Sequence, residues 1–171
     1  KAGEPEMGMR RSFQYHYFGV PSGPIGWVGA RMMQKMTSPS VDAQLAAELD
    51  LQPDDALLDV GCGSARLLAD RAGHVRRVAG LDVSELQLGM ARRRLADRIG
   101  QGTVELVLGD VAALPWPDET FSAVVCLNVL KFVPDPQGAL QEMCRVMRPA
   151  GRIVVTMGEN EPEDFVAGRE A

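Results

Sequence analysis

From residue 56 onward, short apolar runs alternate with amphipathic segments, and this alternation restricts the fold more than any other feature of the chain. The segments between the runs carry apolar residues at helical spacing. Runs that are apolar throughout are typical of parallel strands covered on both faces. The sequence therefore predicts an α/β fold, in which a doubly wound, mainly parallel sheet carries helices on both faces. The predicted strands are Ala56–Val60, Val75–Leu81, Val104–Leu108, Ala123–Leu127 and Ile153–Met157, and the predicted helices are Ser64–Ala72, Glu85–Ile99 and Pro136–Met147.

Around this regular region the chain divides into three parts. Residues 1–40 are rich in aromatic side chains, glycine and proline, and we predict that they form an N-terminal cap or lid. Residues 41–158 form the predicted domain. Residues 159–171 are an acidic tail that we expect to be frayed or cut short. A chain of 171 residues is long enough for one such domain with a sizeable core.

Charge and cysteine content exclude several classes of protein. The net charge of −5 argues against a protein that binds nucleic acid through its phosphates. No apolar run approaches the roughly 20 residues that a membrane-spanning helix needs. The three cysteines are widely spaced and form no C-x-x-C pair, which is typical of a reducing compartment. We therefore expect a cytoplasmic protein without a disulfide scaffold or a metal site.

The ends of the predicted strands carry small and acidic residues, and this is where an open α/β sheet binds its ligand. Gly61 and Gly63 follow the first strand and can let a ligand approach bare backbone. Asp82 ends the second strand, 21 residues after Gly61, where a carboxylate can accept hydrogen bonds from the hydroxyls of a ribose. Asp110 follows the third strand. Each feature alone also fits a tight turn or a helix cap, but together they indicate a nucleoside-binding edge.

Two kinds of nucleoside ligand compete for this edge. A nicotinamide dinucleotide site has the pattern G-x-G-x-x-G, and its third glycine would fall at Arg66. Asp59, two residues before Gly61, would also repel a pyrophosphate. An acid at that position suits a ligand with an ammonium group, so the dinucleotide is the weaker interpretation.

The same residues resemble the motifs of class I S-adenosylmethionine-dependent methyltransferases, in particular the branch that acts on small molecules such as quinones and sterols. With right-handed crossovers, the predicted fold is then a Rossmann-like sheet of strand order 3-2-1-4-5. The resemblance implies S-adenosyl-L-methionine as the cofactor. It covers about residues 45–158 and rests on Asp59-Val60-Gly61-Cys62-Gly63-Ser64-Ala65, on Gly80-Leu81-Asp82-Val83-Ser84 with Met90-Ala91-Arg92, and on residues 109–124, 128–136 and 148–152.

Carried over position by position, the resemblance implies a cofactor site but no dedicated catalytic residue. The backbone of Gly61, Cys62 and Gly63 would lie along the methionine portion, with Asp59 ordering the loop or meeting the ammonium group. Asp82 would accept from the ribose hydroxyls. The other implied cofactor-binding residues are Val83 and Gln87 beside the adenine, Asp110 on its exocyclic amine, Val111 through its backbone, and Asn128 near the sulfonium.

Three departures from the family pattern bear on these roles. Ala65 stands where the family has a third glycine, and we expect helical backbone to accommodate it. Lys131 and Phe132 stand where relatives often carry His or Glu, which puts a proton-handling role there in doubt. The family sheet has seven strands, and the last two are lacking here.

The candidate substrate-binding residues are Lys131 and, in the N-terminal segment, Tyr15, His16 and Tyr17, of which His16 is also a candidate general base.

These observations favour an enzyme that transfers a methyl group from S-adenosyl-L-methionine to a small organic molecule. Because the sulfonium already activates the methyl group, in-line placement of the acceptor can suffice without an acid or a base. The alternatives are a non-catalytic subunit that binds S-adenosyl-L-methionine and, with less support, an NAD-binding dehydrogenase. Surface contact with a membrane through residues 27–36 is a less favoured alternative to a lid.

The fifth predicted strand, Ile153–Met157, would be the outer edge of the sheet. An uncovered apolar edge invites pairing with another chain. We therefore expect either a longer natural chain that supplies the remaining strands or a homodimer that covers this edge.

Overall fold

The computed structural model of the chain describes residues 48–156 and the backbone of residues 165–168. Its strands are β1 (Ala56–Val60), β2 (Arg77–Asp82), β3 (Val104–Leu108), β4 (Phe121–Leu127), β5 (Met147–Thr156) and β6 (Phe165–Gly168). Its helices are α1 (Arg66–Arg71), α2 (Glu85–Arg94), α3 (Ala96–Gly100) and α4 (Pro136–Val146), with a 3₁₀ turn at Leu130–Phe132.

The strands form one sheet in the order β3-β2-β1-β4-β5-β6. Strands β1 to β5 are parallel, so the predicted order 3-2-1-4-5 and the α/β fold class are confirmed. The sheet nevertheless has one strand more than the sequence predicted. The backbone of β6 runs antiparallel to β5 and pairs with residues 153–156. Without β6, the outer edge of β5 would present unpaired N–H and C=O groups. Residues 165–168 of the acidic tail supply the hydrogen-bond partners for these groups.

Helix ends follow local sequence signals, with one exception. Asp135 caps α4 by accepting a hydrogen bond from the N–H of Gly138 at 3.0 Å, and Pro136 occupies the first helical position, as predicted. Ser84 caps α2 in the same way through the N–H of Gln87. The single helix predicted over 85–99 is wrong, because Leu95 leaves the helical region at φ −107° and separates α2 from α3.

Strand β5 begins six residues earlier than predicted and contains an irregularity. Met147 pairs with Phe121, and the next paired residue is Arg152, opposite Ala123. Residues 148–151 therefore bulge out of the ladder, with Ala150 in a left-handed conformation at φ 59°.

The apolar core lies on both faces of the sheet. Alternate residues of a strand point to opposite faces, and accordingly Leu57 joins the cluster under α1 and α2, whereas Leu58 and Val60 join the cluster that includes Met143 of α4. All four side chains are buried. This double cover explains why β1 is buried along its whole length and is apolar except at Asp59.

At the amino-terminal edge of the sheet, one carboxylate joins several elements. Asp55 accepts hydrogen bonds from Arg152 Nη2, from the Ser122 hydroxyl at 2.6 Å and from the N–H of Gln52 at 2.7 Å. Burial alone would raise the pKa of Asp55, but these donors outweigh it and hold the pKa below its usual value. The network fixes the starts of β1 and β4 against β5.

The N-terminal cap predicted for residues 1–40 lies outside the described residues, so it stays a prediction.

Candidate cofactor site

The carboxyl ends of β1 to β4 meet at one edge of the sheet, as the sequence predicts. Val60 lies beside Leu81 of β2 and beside Cys126 of β4, and Asp82 lies beside Leu108 of β3. The turns that follow these strands therefore share one rim, and they carry most of the predicted cofactor-binding residues.

The loop after β1 is fastened to the end of β2 by its own N–H groups. Those of Gly61 and Cys62 both donate to the carbonyl oxygen of Leu81, at 2.7 and 3.0 Å. The N–H of Gly63 donates to the Asp82 carboxylate at 2.8 Å. Both glycines have positive φ, 75° and 53°, which favours glycine. These three donors are engaged inside the protein, so they are not free for a ligand.

Ala65 closes this loop in a conformation that the sequence analysis did not expect. Its φ and ψ are 55° and 43°, in the left-handed region, and the expectation of helical backbone there is wrong. The N–H of Ala65 donates to the carbonyl of Cys62 at 2.8 Å, which fixes the turn into α1. The turn imposes on this alanine a conformational cost of about 1–2 kcal/mol that a glycine would not carry.

Asp82 shapes the loop and still has acceptor capacity. One carboxylate oxygen accepts from the N–H of Gly63 and the other from the N–H of Ser84, each at 2.8 Å. Burial raises the pKa of Asp82, and the two N–H donors partly offset this rise. Each carboxylate oxygen has a second lone pair, so the group can also receive two hydroxyl donors.

Asp59 is a buried carboxylate without a cation beside it. Only 5% of the residue is exposed, and among residues 48–156 no donor is hydrogen-bonded to its oxygens. Burial, and then the negative charge of Asp82, raise the pKa of Asp59 to about 7. A carboxylate in this position favours a ligand that brings a positive charge.

Two side-chain amides at the site also lack partners. Gln87 is 4% exposed and lies against Gly63, where a Cβ on that glycine would stand 3.9 Å from the Gln87 amide carbon. The Oε1 atom of Gln87 and the Oδ1 atom of Asn128 are both buried without a hydrogen-bond partner. Buried acceptors of this kind are rare in proteins unless a ligand or water completes them.

An apolar surface lies between β2 and β3 on the same rim. Val83 and Leu108 are 44% and 53% exposed, although both are large apolar residues. Asp110 is exposed beside them and accepts from the N–H of Ala112 at 3.0 Å, while Val111 is buried. A flat apolar ring could bind here with Asp110 at its edge. The sequence analysis missed Leu108, because its position opposite Asp82 is set only by the pairing of β2 with β3.

The positions of the other predicted site residues indicate less about their roles. Burial and the neighbouring carboxylates raise the pKa of the Cys62 thiol, so Cys62 is not a nucleophile at neutral pH. Lys131 is exposed, with its Nζ 5.4 Å from the centroid of the Phe132 ring. The predicted substrate-binding residues Tyr15, His16 and Tyr17 lie outside the described residues.

Two further residues at the rim escaped the sequence analysis. Thr156, at the end of β5, accepts the N–H of Asn128 on its hydroxyl at 2.8 Å. Val129 packs directly on Gly61. Thr156 lies in no motif, and the motif at 128–136 does not indicate this role for Val129, because both roles arise only when the ends of β1, β4 and β5 are brought together.

A doubly wound α/β domain with its loops and acidic residues gathered at one rim is the class that this fold defines. A sequence profile of the family described as a methyltransferase domain matches residues 58–155, more than half of the chain. The chain belongs to this family, and its fold is that of the class I S-adenosylmethionine-dependent methyltransferases.

Two relatives illustrate the range of similarity. Demethylmenaquinone methyltransferase of Shouchella clausii is 39% identical over 110 residues, which are 63% of this chain and 46% of the relative. Methyltransferase GfsG of Streptomyces halstedii is 33% identical over 146 residues, which are 82% of this chain and 49% of the relative. The chain thus spans about half the length of these curated relatives.

Solved structures agree on the fold. A SAM-dependent methyltransferase from Aquifex aeolicus aligns with a TM-score of 0.63 at 21% identity, covering 78% of this chain and 77% of that one. The [4+2]-cyclase SpnF aligns with a TM-score of 0.63 at 24% identity, covering 82% of this chain and 48% of that one. Since a cyclase shares the fold, the fold alone does not decide the reaction.

Membrane-spanning helices and clusters of metal ligands are both absent from the described residues. None of their helices is both long and apolar enough to cross a membrane. Within the same residues, no three His, Cys, Asp or Glu side chains are grouped as metal ligands would be.

Proposed function

We propose that this domain binds S-adenosyl-L-methionine and takes part in methyl transfer to a small organic molecule. The observation that carries the proposal is the imbalance of hydrogen-bonding groups at the rim. Within residues 48–156 no donor is hydrogen-bonded to the Asp59 carboxylate, which is buried, and Gln87 Oε1 and Asn128 Oδ1 are buried without partners. The N–H groups of Gly61, Cys62 and Gly63 are already engaged. Such a site favours a ligand rich in donors and positive charge.

This imbalance distinguishes the two nucleoside ligands. S-adenosyl-L-methionine carries an ammonium group, a sulfonium and ribose hydroxyls, all of which suit acceptors. The pyrophosphate of NAD instead needs free N–H donors at the glycine-rich loop. The N–H groups of Gly61, Cys62 and Gly63 do not supply them.

The chain's own residues would bind and orient the cofactor. We propose that Asp59 accepts from the ammonium group, that the second lone pairs of Asp82 accept the ribose hydroxyls, and that Val83 and Leu108 contact the adenine faces. Asn128 Oδ1 would lie near the reacting centre. The bound cofactor supplies a methyl group already activated by the sulfonium, so these residues act by position rather than by proton transfer.

The names of the relatives support a small acceptor. Demethylmenaquinone methyltransferases are among the similar proteins, and we propose a quinol-like or other small organic acceptor. Because the chain spans only part of these relatives, transfer is tested with both this chain and a version extended to their length. Transfer of labelled methyl to a demethylated naphthoquinol supports the proposal. Cofactor binding without transfer to any acceptor in a metabolite extract, even by the longer chain, favours a non-catalytic subunit.

Calorimetric titration with S-adenosyl-L-methionine, S-adenosyl-L-homocysteine and NAD tests the binding step. We expect the first two to bind at millimolar affinity or better and NAD not to bind. Asp82→Ala should weaken binding by about 1.5–3 kcal/mol, the scale of lost hydrogen bonds to a charged group. Asp54→Ala, which alters an exposed acid at the opposite edge of the sheet, is the control and should bind as the wild type does. Equal binding of NAD would support a dehydrogenase instead.

A further inference from the structure

The turn after β4 is held from the β5 side by one hydroxyl group. Asn128 has a φ of 59°, a left-handed conformation that asparagine tolerates better than most residues. Its N–H donates to Thr156 Oγ1 at 2.8 Å. Leu127 and Thr156 are the last paired residues of β4 and β5, so the side-chain hydroxyl extends the contact between these strands beyond their ladder.

The same turn is held from the β1 side by close packing. A Cβ on Gly61 would stand 2.2 Å from Cγ2 of Val129, so the glycine leaves the space that Val129 fills. The turn formed by Asn128 and Val129 is therefore held on two sides, by the Thr156 hydroxyl at Asn128 and by Gly61 of the β1 loop at Val129. In this arrangement its Oδ1 atom is buried and has no partner.

We propose that Thr156 is a positioning residue for Asn128, and this inference rests on the proposed function. The hydroxyl of Thr156 fixes the left-handed turn, and the turn keeps Asn128 Oδ1 available to the ammonium group of the bound cofactor, which S-adenosyl-L-homocysteine also carries. Without the hydroxyl, the Asn128 N–H loses its acceptor and the peptide can rotate, which displaces the side-chain oxygen. Thr156 itself makes no contact with the cofactor in this proposal.

A double-mutant cycle on the full chain tests the proposal, with S-adenosyl-L-homocysteine as the calorimetric ligand. Thr156→Val keeps the shape of the side chain but removes the hydroxyl, and should weaken binding about three- to tenfold. Thr156→Ser keeps the hydroxyl and should bind within about twofold of the wild type. In an Asn128→Ala background, Thr156→Val should cause no further loss, because the two residues act as a unit.

A spectroscopic measurement accompanies the titration. The backbone amide proton of Asn128 should shift in the ligand-free Thr156→Val protein but not in Thr156→Ser, because only the first loses the acceptor. If Thr156→Val does not fold, Thr156→Ala replaces it in the cycle.

The outcomes separate this inference from the proposed function. If the wild type binds and Thr156→Val weakens binding equally with and without Asn128, the inference is overturned and the proposed function stands. An unchanged affinity of Thr156→Val has the same consequence. If the wild type does not bind S-adenosyl-L-homocysteine, both are overturned.

Discussion

At the scale of single residues, Asp59 links the stability of the domain to pH. The pKa of Asp59 is raised to about 7 in the folded protein by burial and by the neighbouring charge of Asp82. Between its ordinary pKa of 3.8 and this value, the folded protein holds a proton that the unfolded chain has released. The contribution of Asp59 to stability is therefore present below the ordinary pKa and is lost as the pH rises through about 7.

We expect Asp59→Asn to remove the dependence of stability on pH that the ionisation of Asp59 causes. The substituted side chain cannot ionise, so the ligand-free variant should gain stability relative to the wild type as the pH rises from 5 to 8, by at most about 1.4 kcal/mol per pH unit. Urea unfolding at each pH measures the difference. Asp110→Asn, at an exposed position, is the control, and a constant offset for Asp59→Asn across this range would contradict the prediction.

Ala65 shows how a turn can impose a conformation that its residue type disfavours. A glycine would remove the cost of the left-handed conformation, about 1–2 kcal/mol. It would also lose a buried methyl group worth about 0.8 kcal/mol and raise the conformational entropy of the unfolded chain. We expect Ala65→Gly to change the free energy of unfolding by no more than about 1 kcal/mol. Ala65→Val should destabilise by clearly more, because a β-branched residue fits neither the φ of 55° nor the filled space. Thermal melts compare the two, and equal losses would argue against the left-handed turn.

At the scale of elements, Arg145 of α4 fastens the long connection between β3 and β4. Its guanidinium forms two hydrogen bonds with Glu142, at 2.7 and 2.8 Å, and donates to the carbonyl oxygens of Leu114 and Trp116. Another N–H lies 2.7 Å from Asp118. The hydrogen bond to Glu142 is the main reason that the pKa of Arg145 is raised and that of Glu142 is lowered. The connection that carries Asp110 and Val111 is thus held against a helix.

We expect Arg145→Lys to loosen this connection, because an ammonium group cannot reproduce the planar five-donor fork. The variant should unfold at a lower urea concentration, since two carbonyls lose a charged donor, and hydrogen exchange should increase over residues 110–119. Arg92→Lys is the matched control. Arg92 and Glu85 form an exposed pair on α2, so its effect should be below about 1 kcal/mol, and a loss as large as that of Arg145→Lys would contradict the proposed role.

At the scale of the whole molecule, sequence periodicity predicts the sheet but not its outer edge. Strand Ala56–Val60 is buried along its whole length and is apolar except at Asp59, because both faces of the sheet are covered. This signal can be read from the sequence without any knowledge of contacts. The segment at 165–168 lies among acidic residues and gains its strand only by pairing with β5. The local amino-acid composition does not indicate that this segment pairs with β5.

Contacts between strands distant in sequence also limit what could be predicted about the site. Asp82 and the glycines of the β1 loop could be found from spacing, because their roles depend on backbone geometry near one strand end. Thr156 and Leu108 could not, since each gains its place from a strand distant in sequence. The left-handed conformation of Ala65 was missed because it depends on a turn, whereas alanine by itself favours a helix.

We expect β6 to protect the edge of the sheet. A chain that ends at residue 158 lacks this strand and exposes the backbone of residues 153–156, so it should associate through that edge. Sedimentation velocity of the shortened chain beside the full 171 residues measures the difference. A shortened chain that sediments as a monomer at the same concentrations would show that β6 is not needed as a cover.

The bonds from Gly61, Cys62 and Gly63 to the end of β2 mean that the loop is preorganised before any ligand arrives. Its backbone entropy has already been lost during folding, so association need not order it again. The loop should consequently superpose to within about 1 Å between the free and the bound protein. A rim of this kind selects by rejecting ligands that do not fit its fixed shape, and does not adapt its shape to those that bind.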